Sequence, residues 1–108
     1  MELVIERLVR DDIVYEKQLK LLNKLDELGI IDDLLELNPG IRFVEIFEDS
    51  FSFHDYDWRL CYHININEDC SFHKYSRESC DGFSGLVVNR YDLKVFMKII
   101  ELFDNNKF

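Results

Sequence analysis

Between residues 11 and 28 the apolar positions recur at helical spacing. Val14, Leu21, Leu22, Leu25 and Leu28 fall on one side, and Glu16, Lys17, Lys20, Lys24 and Glu27 fill the rest. The pattern predicts a helix. Asp11 and Asp12 stand where negative charge suits the positive end of the helix dipole, and Gly29 followed by Ile30 supplies a C-terminal cap with its hydrophobic contact. A second short helix is expected over residues 33–37, with Asp32 as its N-cap. Residues 1–9 fit neither period, because Leu3, Ile5 and Val9 suit a strand or an extension of the first helix equally. Asn38-Pro39-Gly40 then punctuates the chain, since Pro disfavours helix in the residue before it and Gly permits the turn after it.

Beyond the turn the period becomes two. Residues 41–47, rich in β-branched and aromatic side chains, predict a strand; Glu48-Asp49-Ser50 reads as a turn and residues 51–53 as the start of the return. After the polar run His54-Asp55-Tyr56-Asp57, the residues Trp58, Leu60, Tyr62, Ile64 and Ile66 alternate with Arg59, Cys61, His63, Asn65 and Asn67. Such a strand lays one face on the core and turns the other toward solvent or a partner. A three-residue turn at 67–69 would pair Ile66 with Cys70, Ile64 with Phe72 and His63 with His73. That register keeps Phe72 and Cys70 on the apolar face, whereas a two-residue turn would put Phe72 on the polar one. A loop with Gly82 and Gly85 and a short buried strand at 86–88 follow. In the last segment Asn89 serves as N-cap with Asp92 as its box partner, and Leu93, Phe96, Met97, Ile100 and Phe103 recur at three and four. The expected class is α+β: an antiparallel sheet of four or five strands with an N-terminal helical segment and a C-terminal helix packed on it, in one domain spanning 1–108.

Composition narrows the possible partners. The 108 residues carry 22 Asp and Glu against 13 Lys and Arg, a formal charge of -9, yet 47% are hydrophobic and 14% aromatic. A disordered acidic tail would be poor in both of the last two. An acid excess opposes direct binding to nucleic acid or to an anionic membrane, both of which select clustered Lys and Arg. No basic stretch followed by an apolar run opens the chain, no segment approaches the ~20 apolar residues of a membrane span, and three cysteines make a poor disulfide framework. The expected location is the cytoplasm, with reduced thiols.

The residue types that carry chemistry are sparse. Cys61, His63 and His73 share the polar face of the predicted hairpin and would form the zinc site if there were one; Cys70 is sent to the opposite face as a small core residue, and Cys80 lies further on. Asp55 and Asp57 beside His54 could hold a divalent cation or transfer protons, and a polar turn explains the same residues without chemistry. Gly82 and Gly85 do not make a phosphate loop, and no nucleophile elbow surrounds Ser76, Ser79 or Ser84. The expectation is therefore no enzyme, no cofactor and no metal.

What remains is the acid. The stretch from Asp32 to Asp57 has Arg42 as its only Lys or Arg, and it also contains Phe47, Phe51, Phe53 and Tyr56. Carboxylates around aromatic anchors suit a basic protein partner, since charge speeds encounter and buried rings supply affinity. The residues expected to meet it are Asp32, Asp33, Glu36, Glu48, Asp49, Asp55, Tyr56 and Asp57. The function this implies is inhibition of a basic, nucleic-acid-handling protein by occupation of its positive surface. Immunity proteins against nuclease toxins and phage-encoded inhibitors of host defence nucleases use the same charge logic. The alternatives are a homodimeric interaction module built on the N-terminal Leu stripe, and a small zinc protein using Cys61, His63 and His73.

Overall fold

The N-terminal segment that fits neither period is a strand, β1 (Val4–Arg7), and it changes the character of the sheet. The computed structural model describes residues 2–66, 70–77 and 83–105. After β1 come α1 (Asp12–Glu27), α2 (Ile30–Leu37), β2 (Phe43–Ile46), β3 (Phe51–His54), β4 (Cys61–Asn65), β5 (Ser71–Arg77), β6 (Phe83–Gly85) and α3 (Arg90–Asp104). The six strands among the described residues lie in sequence order in one sheet. β2 to β6 form an antiparallel meander, but β1 runs parallel to β2. The class is α+β, and the sheet is mixed where a purely antiparallel one was expected. The reason is connectivity: two helices separate β1 from β2, and a helical crossover returns the chain in the same direction. Among the described residues no helix is long and apolar enough to cross a membrane.

The helices cover one face of the sheet. Val44, Ile46, Phe51, Phe53, Tyr62 and Ile64, alternate residues of β2 to β4, are buried with Leu22 and Leu25 of α1, Ile30, Ile31 and Leu34 of α2, and Val95 and Ile99 of α3. The Leu stripe of α1, which a homodimer would need free, thus packs into the chain's own core. Phe51 and Phe53 belong to that core as well and offer nothing to a partner.

Local signals set the helix ends. The Asp11 side chain accepts from the backbone N–H groups of Ile13 and Val14, as an N-cap should. Gly29 has φ of 78°, a left-handed conformation that ends α1 and starts α2 at once. Asp32 is therefore not an N-cap. It sits in the first turn of a helix that begins three residues before the expected start, because burial of Ile30 and Ile31 extends the helix backward. A Cβ at Gly29 would meet no atom within 4 Å, so Gly29→Ala carries only the backbone penalty. We expect a loss of about 1–2 kcal/mol in urea unfolding, and no loss would mean that the helix end tolerates ordinary residues.

Three further expectations need correction. The predicted long strand starts only at Cys61, because Trp58 adopts a positive φ of 55° and the chain folds back before it can pair. Leu86 to Val88 is not a strand; β6 precedes it at the sheet edge, and Val87 is exposed as the chain leaves toward the α3 cap. On α3 the capping box of Asn89 and Asp92 forms as expected, but the buried stripe runs through Asp92, Val95 and Ile99, leaving Leu93 and Met97 exposed. Asp92 anchors that face: its Oδ1 accepts from the Tyr62 hydroxyl at 2.7 Å and its Oδ2 from Lys74 Nζ at 2.6 Å. The predicted register of the β4–β5 hairpin is the observed one, with Ile64 opposite Phe72 and His63 opposite His73, and Cys70 is buried in the core. The expected turn at 67–69, Ser79, Cys80 and Gly82 lie outside the described residues.

Candidate functional site

The sheet face turned away from the helices gathers the reactive side chains. Side chains alternate along each strand, so register alone aligns them across the sheet. Glu6, Glu45, Ser52, His63 and His73 form one row over five strands; Val4, Phe43, His54, Cys61 and Tyr75 form the next. Across β1 to β4 this open face bears two carboxylates and no Lys or Arg.

In the middle of the face is a closed polar network. Ser52 Oγ lies 2.7 Å from His63 Nδ1, and the Cys61 thiol is hydrogen-bonded to Tyr75 and Ser52. Burial pushes the Cys61 thiol up to about 11 and the Tyr75 hydroxyl up to about 12. The same burial, reinforced by the neighbouring His73, lowers the basicity of His63. A thiol held protonated is neither nucleophile nor ready metal ligand, and Ser52, at 1% exposure, is out of a substrate's reach. Ser52 and His63 thus have the spacing of a nucleophile and its base without the access.

At the β1 side of the face His54 is held on every side but one. Its ring is sandwiched between Trp58, at 3.6 Å between centroids and 12° from parallel, and Phe43, at 5.1 Å and 14°. Its Nδ1–H donates to the Asp55 carbonyl at 2.8 Å, which leaves Nε2 as the ring nitrogen turned toward Glu45. Nε2 has no hydrogen-bond partner, and the nearest carboxylate oxygen is Glu45 Oε1 at 3.8 Å. Burial raises the Glu45 carboxyl above its ordinary range; His54 pulls it back and Glu6 pushes it further up. The indole that covers this spot belongs to Trp58, whose left-handed backbone is costly for a large side chain.

The structure scatters the acidic residues singled out from sequence. Asp55, Tyr56 and Asp57 occupy the β3–β4 loop at one end of the open face. The Asp55 carboxylate accepts from the Arg59 N–H at 2.9 Å and Asp57 lies 3.8 Å from Arg59 Nε, so the two do not converge on the His54 ring. Tyr56 is 72% exposed, yet its ring stands edge-on against Phe43 at 5.0 Å. Glu48 and Asp49 lie in the β2–β3 turn at the opposite end of the same strands. Asp32, Asp33 and Glu36 belong to the helical layer, where Asp33 pairs with Lys98 at 2.9 Å beside a cleft of about 540 Å³ that also receives Lys74 and Lys94. Of the sulfur and imidazole set, Cys61, His63 and His73 do share the open face. Among the described residues, however, the one trio whose ligand atoms all come within 4.8 Å is Glu6, Glu45 and His54. Sequence reading missed Glu6, Ser52 and the role of His54; the period-two pattern contained them, but only the β1–β2 and β3–β4 registers bring them together.

Comparison with protein-family models, with curated proteins and with solved structures returned no match for this chain.

Proposed function

We propose that this chain is a non-catalytic binding protein that docks its acidic β3–β4 loop on a basic, nucleic-acid-handling protein and inhibits it by occupying its positive surface. The observation that carries this reading is Tyr56: a largely exposed ring braced against Phe43 and flanked by Asp55 and Asp57. A braced aromatic loses little conformational freedom on binding, and exposed Tyr side chains of this kind are frequent energetic anchors. The adjoining open face, which bears Glu6 and no Lys or Arg over β1 to β4, adds no positive charge beside the loop, in keeping with the overall charge of -9. Absence of catalysis is supported by the protonated Cys61 thiol and the inaccessible Ser52. A nuclease is the partner class that fits, because its substrate groove presents the clustered Lys and Arg that a phosphate backbone selects.

The mutational test uses immobilised wild-type protein and the triple variant Asp55→Asn, Tyr56→Ala, Asp57→Asn to capture basic proteins from host lysate, followed by affinity measurement on the captured species. The variant should fold with near wild-type stability, since Tyr56 and Asp57 are exposed and Asn at position 55 keeps an acceptor for the Arg59 N–H. Tyr56→Ala alone should weaken binding by about tenfold or more. A captured basic protein that binds wild type and variant equally would remove the loop from the interface.

A further inference from the structure

We propose that Glu6, Glu45 and His54 form a binding site for one divalent transition-metal ion, of which zinc is the best fit. The site goes beyond the docking function and does not depend on it.

Glu6 and Glu45 are register partners on the parallel strands β1 and β2, so two carboxylates stand side by side on the same face. Like charges so placed destabilise a sheet unless something lies between them. The third member, from β3, brings a buried ring nitrogen that makes no hydrogen bond. His54 is only 4% exposed, and its Nε2 has no hydrogen-bond partner while facing Glu45 Oε1 at 3.8 Å. One ligand atom from each of the three residues lies within 4.8 Å of the other two. Donors bound tetrahedrally at about 2.0–2.1 Å from zinc are roughly 3.4 Å apart, so a modest swing of the glutamate side chains closes the site around an ion.

The surroundings of His54 are those of a ligand already oriented. Metal-binding imidazoles commonly donate the other ring N–H to a carbonyl or carboxylate, which fixes the tautomer. Here Nδ1–H donates to the Asp55 carbonyl, and Phe43 and Trp58 hold the ring plane from both sides. Trp58 reaches its stacking position through a backbone conformation unfavourable for its size, so that strain is stored next to the orphaned nitrogen. The donor set of two carboxylates and one imidazole selects the ion. The nitrogen favours zinc and its neighbours over calcium or magnesium, and the lack of thiolate disfavours copper(I). Three protein ligands leave a coordination position for water. An ion here would cancel the repulsion between the two glutamates and tie the edge strand β1 to β2 and β3.

The chain has one tryptophan, and it stacks on the proposed ligand, so its fluorescence reports occupancy. Chelator-stripped protein is titrated with zinc chloride while Trp58 emission is followed, and the melting temperature is recorded with and without zinc. The expected results are a saturable change at one ion per chain and a raised melting temperature. Glu6→Gln and Glu45→Gln should each weaken the affinity at least about tenfold, and His54→Ala should abolish binding. The two glutamine variants keep the shape of the original side chains and remain decisive where His54→Ala fails to fold. Cobalt(II) in place of zinc should give visible bands without a thiolate charge-transfer band. The proposal is overturned by no saturable binding, by affinity unchanged in both glutamine variants, or by a thiolate band, which would point to the sulfur-containing set around Cys61.

Discussion

Replacing Asp92 with Ala is expected to destabilise the fold by about 3–5 kcal/mol, the range for breaking a buried ion pair by removing one partner. Asp92 is almost fully buried and serves three elements at once. It accepts from Lys74 on β5 and Tyr62 on β4, and it closes the capping box of α3 by accepting from the Asn89 backbone N–H at 3.1 Å. Asn38, just past α2, adds a hydrogen bond to the Tyr62 hydroxyl and so joins that helix to the network. The substitution would leave the Lys74 ammonium, itself mostly buried, without its counter-charge. The same network makes stability depend on pH. Burial alone would raise the Asp92 carboxyl, but the hydrogen bonds from Lys74, Tyr62 and Asn89 outweigh it and hold the group below the ordinary aspartate range. A carboxyl lowered in the folded state contributes stability above its unfolded pKa of about 3.9 and loses it as the pH falls through the folded value. Urea unfolding of wild type and Asp92→Ala at neutral pH and at about pH 3 should therefore show a gap that narrows on acidification. A gap of constant size would mean that the carboxylate charge contributes nothing.

Phe53→Ala is expected to cost about 3–5 kcal/mol, the range for truncating a buried aromatic, and Trp58→Ala only about 1–2 kcal/mol, in proportion to a half-buried ring. The sequence pattern puts Trp58 on the core-facing side of the clearest strand and offers Phe53 either to a partner or to the core. In the fold Phe53 is fully enclosed between the sheet and the helices, whereas Trp58 lies outside β4 and covers His54 on the open face. Equal losses for the two variants in the same urea titration would return Trp58 to the core.

The contrast shows what the sequence makes legible and what it does not. Periodicity located α1, α3 and the β4–β5 hairpin, including its register, because there one face is apolar and a slip of one residue would expose it. It misplaced the face of α3 because Asp92 is counted as polar when only hydrophobicity is read. The pairing with Lys74 and Tyr62 that buries it comes from strands 18 and 30 residues away. It left residues 1–9 undecided between strand and helix, and so did not yield the parallel pairing, because Val4 to Arg7 is too short for its period to be read. The acidic loop at Asp55 to Asp57 was legible as a feature, since carboxylates around an aromatic stand out locally. The cluster of Glu6, Glu45 and His54 was not, because its members are contributed by three strands and meet only through the crossover that makes the sheet mixed.

Docking on a basic partner through the β3–β4 loop is tested most directly by the dependence of affinity on salt. With the captured basic protein, binding of the wild type is measured from about 0.05 to about 0.5 M salt, over which the screening length falls from roughly 14 Å to roughly 4 Å. The expected result is a steep loss of affinity for the wild type and a weaker, flatter dependence for the variant Asp55→Asn, Asp57→Asn. Affinity that is indifferent to salt, or a slope unchanged by removing the two charges, would contradict the electrostatic docking on which the proposed function rests.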